Sequence, residues 1–243
     1  MAQAAADRRI LLLGKTGSGK SSLANTILES ESLFEVYHSS KSGTKLCQSE
    51  TKTVQGRNVQ LIDTPGLFDT DPDAPDFKRE ILNCMIDCAS GFHAFLLVLK
   101  VERFTKHELS VADVIYTNFS EEALKYTTVV FTQGDQIEEG LTIEEWNDSD
   151  TYRNNQVQVK KLLNTVDQTV EKNGGMCYTN DNLKSVQEKL EQEKAAIRSK
   201  NQNLSEEEVN IKAKENTFNH FWSIMATVGA GVAVLLGFVF LKK

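Results

Sequence analysis

Ile10-Leu11-Leu12-Leu13 is an unbroken apolar run that stops at Gly14, the pattern of a short strand buried on both faces. Similar runs recur at 59–63, 94–101 and 127–132, with a shorter one at 176–179. Between them the apolar positions fall at helical spacing over 21–28, 77–89, 106–118 and 157–172, and the connections 69–76 and 134–141 carry the turn residues. Strands alternating with amphipathic helices predict a doubly wound α/β sheet without internal repeats.

Beyond residue 182 the pattern changes. Leu183, Leu190, Ile197, Leu204 and Ile211 recur every seven residues through a charged stretch. The second heptad position is mostly polar, so the coiled-coil signal is weak, and the row is expected to pack one side of a long helix onto the α/β domain. Asn201-Gln202-Asn203 is a candidate break, with Ser205-x-x-Glu208 as a capping box that restarts the helix. Residues 136–150 hold six acidic and no basic residues and read as a solvated loop. Within them Thr142-Ile143-Glu144-Glu145 has the form of a capping box.

The last stretch, 221–241, has no charged residue and is followed by Lys242-Lys243. A helix of that length rises roughly 30 Å, the thickness of a bilayer's hydrocarbon core. It predicts a single transmembrane tail anchor, with Trp222 and the two lysines at the two interfaces. The bulk of the chain would face the cytosol, from the endoplasmic reticulum or the mitochondrial outer membrane. A buried core helix is the alternative, which Gly229, Gly231 and Gly237 disfavour. Gly229, Ala233 and Gly237 form a small-residue row on which two anchors could pair. Residues 1–7 have no signal-peptide pattern. The expected organisation is an α/β domain over 8–182, a helical extension over 183–219 and the span over 221–241.

The 243 residues, 40% hydrophobic, suffice for one large core, and a formal charge of −7 without basic clusters argues against nucleic acid as a partner. Cys47, Cys84, Cys88 and Cys177 show no CxxC pair and no regular framework, so reduced thiols are expected. Cys84 and Cys88 share a helix face; packing there is favoured over metal binding.

The first strand runs into Gly14-Lys15-Thr16-Gly17-Ser18-Gly19-Lys20-Ser21-Ser22, whose first eight residues fit G-x-x-x-x-G-K-[ST] between a strand and a helix. Converging backbone N–H groups of such a loop, with the helix start behind them, hold a phosphate anion. Lys20 would reach the β- and γ-phosphates, and Ser21 would ligate Mg²⁺. A second strand ends in Asp63-Thr64-Pro65-Gly66-Leu67. Asp63 is placed to hold Mg²⁺ and Gly66 to offer its N–H to the γ-phosphate, an ordinary turn being the plainer reading. The strand 127–132 leads to Asp135, whose carboxylate could accept the paired N1 and N2 donors of guanine, favouring GTP over ATP; a helix-capping aspartate is the alternative.

These motifs, with His93-Ala94-Phe95-Leu96-Leu97-Val98-Leu99, Arg103-Phe104-Thr105 and Phe131-Thr132-x-Gly134-Asp135, resemble the GTPases of the immunity-associated protein family (GIMAP, or IAN) over roughly residues 8–182. The resemblance implies a P-loop GTPase fold that binds GTP or GDP with Mg²⁺. It places Thr44 as a first-switch threonine on Mg²⁺ and the γ-phosphate. Asn180 falls where the family sets an asparagine on guanine, although Asp181 or Asn182 could cap the helix beginning there. The resemblance also implies GTP-dependent homodimers, or hetero-oligomers with related GTPases, in which Arg103 would act in trans; a solvated surface arginine is the alternative.

Two departures bear on the dimer contact: Ser90-Gly91-Phe92-His93 stands where the family writes Pro-Gly-Pro-His, and Lys106-His107 follows Arg103-Phe104-Thr105 where acidic residues are usual. Leu67 follows the switch glycine where many GTPases carry a water-orienting glutamine, so intrinsic hydrolysis is expected to be slow. The expectation is a membrane-anchored, GTP-gated, self-assembling GTPase with Lys20, Thr44 and Arg103 in the catalytic roles. A scaffold that holds GTP without turnover is the main alternative, and an ATP-using kinase a more distant one.

Overall fold

The computed structural model describes residues 6–36, 47–64, 75–101, 121–134, 155–201 and 203–228. Five strands, β1 (Ala6–Leu13), β2 (Gln48–Val54), β3 (Arg57–Asp63), β4 (Ala94–Lys100) and β5 (Thr127–Thr132), form one sheet in the order β2-β3-β1-β4-β5. β1 is parallel to β3 and β4, and β4 to β5, while β2 runs antiparallel to β3 across the turn at Gln55-Gly56. The helices are α1 (Lys20–Ile27), α2 (Pro75–Asp87), the single turn α3 (Glu121–Leu124), α4 (Asn155–Lys172), α5 (Asp181–Lys200) and α6 (Glu206–Val228). The predicted helix over 106–118 lies outside the described residues.

Period-two alternation splits the central strands between two cores. Ile10, Leu12, Ala94, Leu96 and Val98 pack with Ala24 and Ile27 of α1, with its C-cap Leu28, and with Val159, Leu163, Val166 and Val170 of α4. Leu11, Leu13, Phe95, Leu97 and Leu99 face the other way, onto α2, α5 and α6. Helices therefore cover both faces, as the α/β expectation requires. Asp167 of α4 fastens the first core at the sheet's rim: it accepts Arg8 Nε at 2.6 Å and Arg57 Nη2 at 2.6 Å, joining β1 and β3 to one helix. Burial alone would raise this carboxyl, but the hydrogen bonds from Arg57 and Arg8 outweigh it and hold it below the ordinary aspartate value.

Several expectations are corrected. β2, Gln-Ser-Glu-Thr-Lys-Thr-Val, was not legible as a strand: it lies at the sheet edge, and only Val54 is buried. The strand expected at 176–179 reduces to one antiparallel bridge, Tyr178 with Phe92. Two of the four cysteines expected to be reduced are joined: Cys47, before β2, and Cys84, in α2, form a disulfide with Cα atoms 5.8 Å apart. Cys88 and Cys177 are free thiols.

The C-terminal helices share the second core. The break and restart fall where expected, with α5 ending at Lys200 and Glu208 N donating to Ser205 Oγ while Ser205 N donates to Glu208 Oε2. Leu183, Leu190 and Ile197 are buried on α5, but the restart sets a new phase. Val209 and Ala213 face the core on α6, and Ile211 is 59% exposed. Phe221, taken as the first residue of the membrane span, is buried in this core, and Trp222 stacks on Phe218 with ring centroids 5.8 Å apart. The place expected for Phe221 in the span and for Trp222 at a bilayer interface gives way to packing on the protein. Among the described residues no helix is long and apolar enough to cross a membrane, and residues 229–241 of the predicted span lie outside them.

Candidate functional site

β1 delivers the chain to the loop at its carboxyl end, beside β3 and β4, where ligands of open α/β sheets bind. Gly14 opens the loop at φ 157°, and a Cβ there would stand 2.4 Å from the Val98 carbonyl oxygen of β4. Only glycine lets the loop press this closely onto the neighbouring strand. Gly19 caps α1 in the left-handed conformation, φ 88°, turning the chain into the helix. From β5, Thr132 Oγ1 donates to the Ser18 carbonyl at 2.6 Å, and from the end of β3, Thr64 Oγ1 donates to the Leu12 carbonyl at 2.8 Å. Three strand ends therefore hold the loop.

Within it, Lys20 is 5% exposed and curls back over its own loop, donating from Nζ to the carbonyls of Gly14 at 3.0 Å and Lys15 at 2.9 Å. Ser18 is also buried, and its Oγ has no hydrogen-bond partner. Thr16, Gly17 and Ser22 are exposed at the loop surface, while Lys15 and Ser21 are half-buried.

Asp63, wholly buried at the end of β3, accepts Ser21 Oγ on Oδ2 at 2.5 Å and has no partner for Oδ1. Burial pushes its carboxyl above the ordinary aspartate range; the Ser21 hydrogen bond and the Lys20 charge pull it back in part. An orphaned carboxylate oxygen beside a serine hydroxyl is an all-oxygen donor set, which suits a hard divalent cation such as Mg²⁺. A cation there would satisfy Oδ1 and neutralise a buried charge. The residues fit the metal, with Ser21 and Asp63 as the ones that would hold it.

The structure brings Gly14, Lys15, Thr16, Gly17, Ser18, Gly19, Lys20, Ser21, Ser22 and Asp63 together. Thr44, Gly66, Arg103 and Asp135 lie outside the described residues. Asn180 is not brought to the loop. It is the N-cap of α5, its Oδ1 accepting Leu183 N–H at 2.9 Å, so neither Asp181 nor Asn182 takes that role. Tyr178, two residues before it, pairs with Phe92 ahead of β4, level with the start of β1. At ~3.3 Å per residue that edge is about 20 Å from Gly14.

Thr132 and Thr64 were missed as supports of the loop. A threonine closing a strand at the loop's edge is the available signal, and it is faint.

An anion cradle at the end of β1, a buried lysine at its helix start and an acidic residue ending β3 define a P-loop nucleotide-binding α/β protein. The AIG1 family model matches residues 8–148, and the chain belongs to that family. This bears out the likeness read from the motifs. The chain is 32% identical over 225 residues to immune-associated nucleotide-binding protein 10 of Arabidopsis thaliana, covering 80% of this chain and 48% of the relative. It is 33% identical over 193 residues to GTPase IMAP family member 8 of Homo sapiens, covering 71% of this chain and 29% of that protein. The chain thus spans about half the length of the first of these curated relatives or less. Among solved structures it resembles Toc33 of Arabidopsis thaliana in complex with GDP and Mg²⁺, with TM-score 0.43 and 21% identity over 70% of this chain and 64% of that one.

Proposed function

We propose that this chain is a guanine-nucleotide-binding GTPase whose affinity for Mg²⁺ and a third phosphate sets its ability to self-associate. The observation that carries the reading is the Lys20, Ser21 and Asp63 constellation: one buried cation above the glycine loop and one buried carboxylate oxygen with nothing to bind. A triphosphate would draw Lys20 Nζ from the Gly14 and Lys15 carbonyls, and the loop's N–H groups would take the phosphate oxygens. Mg²⁺, when bound, neutralises charge on the β- and γ-phosphates.

Guanine selection is assigned to Asp135, contacts to the γ-phosphate to Thr44 and Gly66, and the charge that speeds hydrolysis to Arg103 of a second copy. Membership of the AIG1 family and the motif order support these assignments. Leu67, without hydrogen-bonding capacity, supports slow turnover in the monomer. The apolar residues 229–241 support attachment to a membrane facing the cytosol, with the packed start of the predicted span, Phe221 and Trp222, left on the protein side.

Calorimetry of the full chain in detergent tests the reading. Heat is expected for GTP and GDP with Mg²⁺, absent for ATP and for Lys20→Ala; no heat for either guanine nucleotide removes it. Single-turnover hydrolysis should accelerate with protein concentration and lose that dependence in Arg103→Ala. A flat rate favours the second reading, a GTP-bound scaffold, which Leu67 alone would equally fit. Flotation with vesicles should require residues 229–241.

A further inference from the structure

We infer that the Cys47–Cys84 disulfide is a thiol-exchange switch that sets how tightly the nucleotide site holds a magnesium triphosphate; this rests on the nucleotide reading above. The bond joins the residue before β2 to the last turn of α2 and closes a ring with a sequence separation of 37. That ring contains Asp63. The coupling is direct, because Gln48, next to Cys47, is the register partner of Asp63 across the β2–β3 pair. The disulfide thus anchors the strand end beside the metal-site carboxylate.

The two sulfurs differ in access. Cys84 is 7% exposed, whereas Cys47 is half-buried and lines an open cavity of about 370 Å³ between α2 and α6, with Arg79, Asp87, Lys214 and Phe218. Arg79 lies over the Phe218 ring at 5.5 Å, and Lys214 Nζ is 2.6 Å from Asp87 Oδ1. The cavity gives an external dithiol a path to Cys47. Its thiolate attacks Cys47 Sγ, forming a mixed disulfide and expelling the Cys84 thiolate, which takes a proton. The reagent's second thiolate then attacks its own sulfur, closing a cyclic disulfide and releasing Cys47, which is protonated in turn. The protein gains two electrons and two protons, and the dithiol loses them.

Cys88, one helical turn from Cys84, is wholly buried, and burial pushes its thiol well above the ordinary value, so it is a bystander rather than an internal attacker. A single disulfide in a chain with no regular cysteine framework is also the usage of redox-responsive proteins rather than of disulfide-built scaffolds. With Cys47 tied to α2, the start of β2 is held against the end of β3 and Asp63 is fixed in place before the ligand arrives, so the oxidised form binds more tightly.

The test uses the full chain in detergent, oxidised and after dithiothreitol, titrated with a non-hydrolysable GTP analogue plus Mg²⁺ and separately with GDP plus Mg²⁺. Reduction is expected to weaken analogue binding about 3- to 10-fold and GDP binding less, since the magnesium triphosphate leans more on the Asp63 carboxylate that the anchored strand end holds. By reciprocity the bound analogue should shift the dithiol:disulfide equilibrium towards the disulfide by the same factor, read by mass spectrometry after alkylation in graded thiol buffers. Cys47→Ser should bind as the reduced wild type does and ignore dithiothreitol; Cys177→Ser should keep the response. Equal analogue affinity in both redox states overturns the switch and leaves the nucleotide reading intact. Absence of binding in both states overturns the two together, and failure to find a Cys47–Cys84 peptide in oxidised protein overturns the switch alone.

Discussion

Ser21 and Asp63 are joined across the P-loop by a 2.5 Å hydrogen bond from the serine hydroxyl to Oδ2, while Oδ1 of the same buried carboxylate has no partner. Neither residue is near the other in sequence; β1 and β3, paired in parallel, bring their carboxyl ends level. Removing the hydroxyl in Ser21→Ala deprives the carboxylate of its hydrogen bond and, on the proposed reading, would deprive a bound Mg²⁺ of a ligand. Affinity for a magnesium triphosphate should fall about 10- to 100-fold, the equivalent of one strong hydrogen bond to charge. Titration with excess Mg²⁺ and with a chelator measures this, and wild-type affinity in Ser21→Ala would remove serine from the metal site.

A second prediction concerns the first loop glycine. In Gly14→Ala the new Cβ meets the Val98 carbonyl oxygen at 2.4 Å, and that oxygen belongs to the backbone of a central strand. Either the loop lifts or β4 moves, at an expected cost of about 2–4 kcal/mol. For a chain of this size that is a fall in Tm on the order of 5–10 °C, observable by thermal unfolding without nucleotide.

Asn180 separates two roles cleanly. As the cap of α5 its loss in Asn180→Ala should cost about 1 kcal/mol of stability. Guanine-nucleotide affinity should be unchanged, since the residue sits at the edge of the sheet where the parallel strands begin. A large loss of affinity at unchanged stability would return it to the base-binding role that family resemblance implies.

Protonation of His93 gives an acid-side signature. Its Nδ1 accepts the Arg9 backbone N–H at 2.9 Å, so the neutral ring carries its proton on Nε2, 3.3 Å from Cys177 Sγ. Burial, then the charges of Arg9 and Arg8, lower its pKa from 6.5 to about 4, with Asp7 opposing. The unfolded chain therefore binds the proton first as pH falls. The histidine's contribution begins to be lost as pH falls through 6.5 and is gone below pH 4, a loss of roughly 3 kcal/mol in all. Denaturant titrations across that window should show the slope, and His93→Gln should flatten it.

Much of this architecture was legible because it is written in local periodicity. The apolar runs that became β1, β3 and β4 are buried and need no tertiary context to be seen, whereas β5, legible by the same run, lies at the end of the described sheet with Val129 48% and Phe131 45% exposed and is not the buried strand its pattern predicts. The P-loop is contiguous, and the Ser205–Glu208 box is a four-residue signal that the structure reproduces bond for bond. What stayed hidden depends on neighbours distant in sequence. β2 is polar because an edge strand buries little. Cys47 and Cys84 carry no spacing signal, as only the fold of β2 against α2 brings them together. Ile211 fits the heptad row on paper, but the row loses phase at the break before α6. Asn180 matched a family position, and its side chain is engaged by the helix it begins.

The restart between α5 and α6 makes the two helices unequal in their tolerance of length. An extra residue between Lys200 and Ser205 would be absorbed by the link, leaving Val209, Ala213 and Phe221 to seat α6 as before. The same insertion between Ala213 and Phe221 would rotate everything downstream by about 100° around the helix axis. Phe221 would swing into water, and the last turns of α6 would lose their seat on the core. Drift in length is therefore cheap in one short link and ruinous a few turns later.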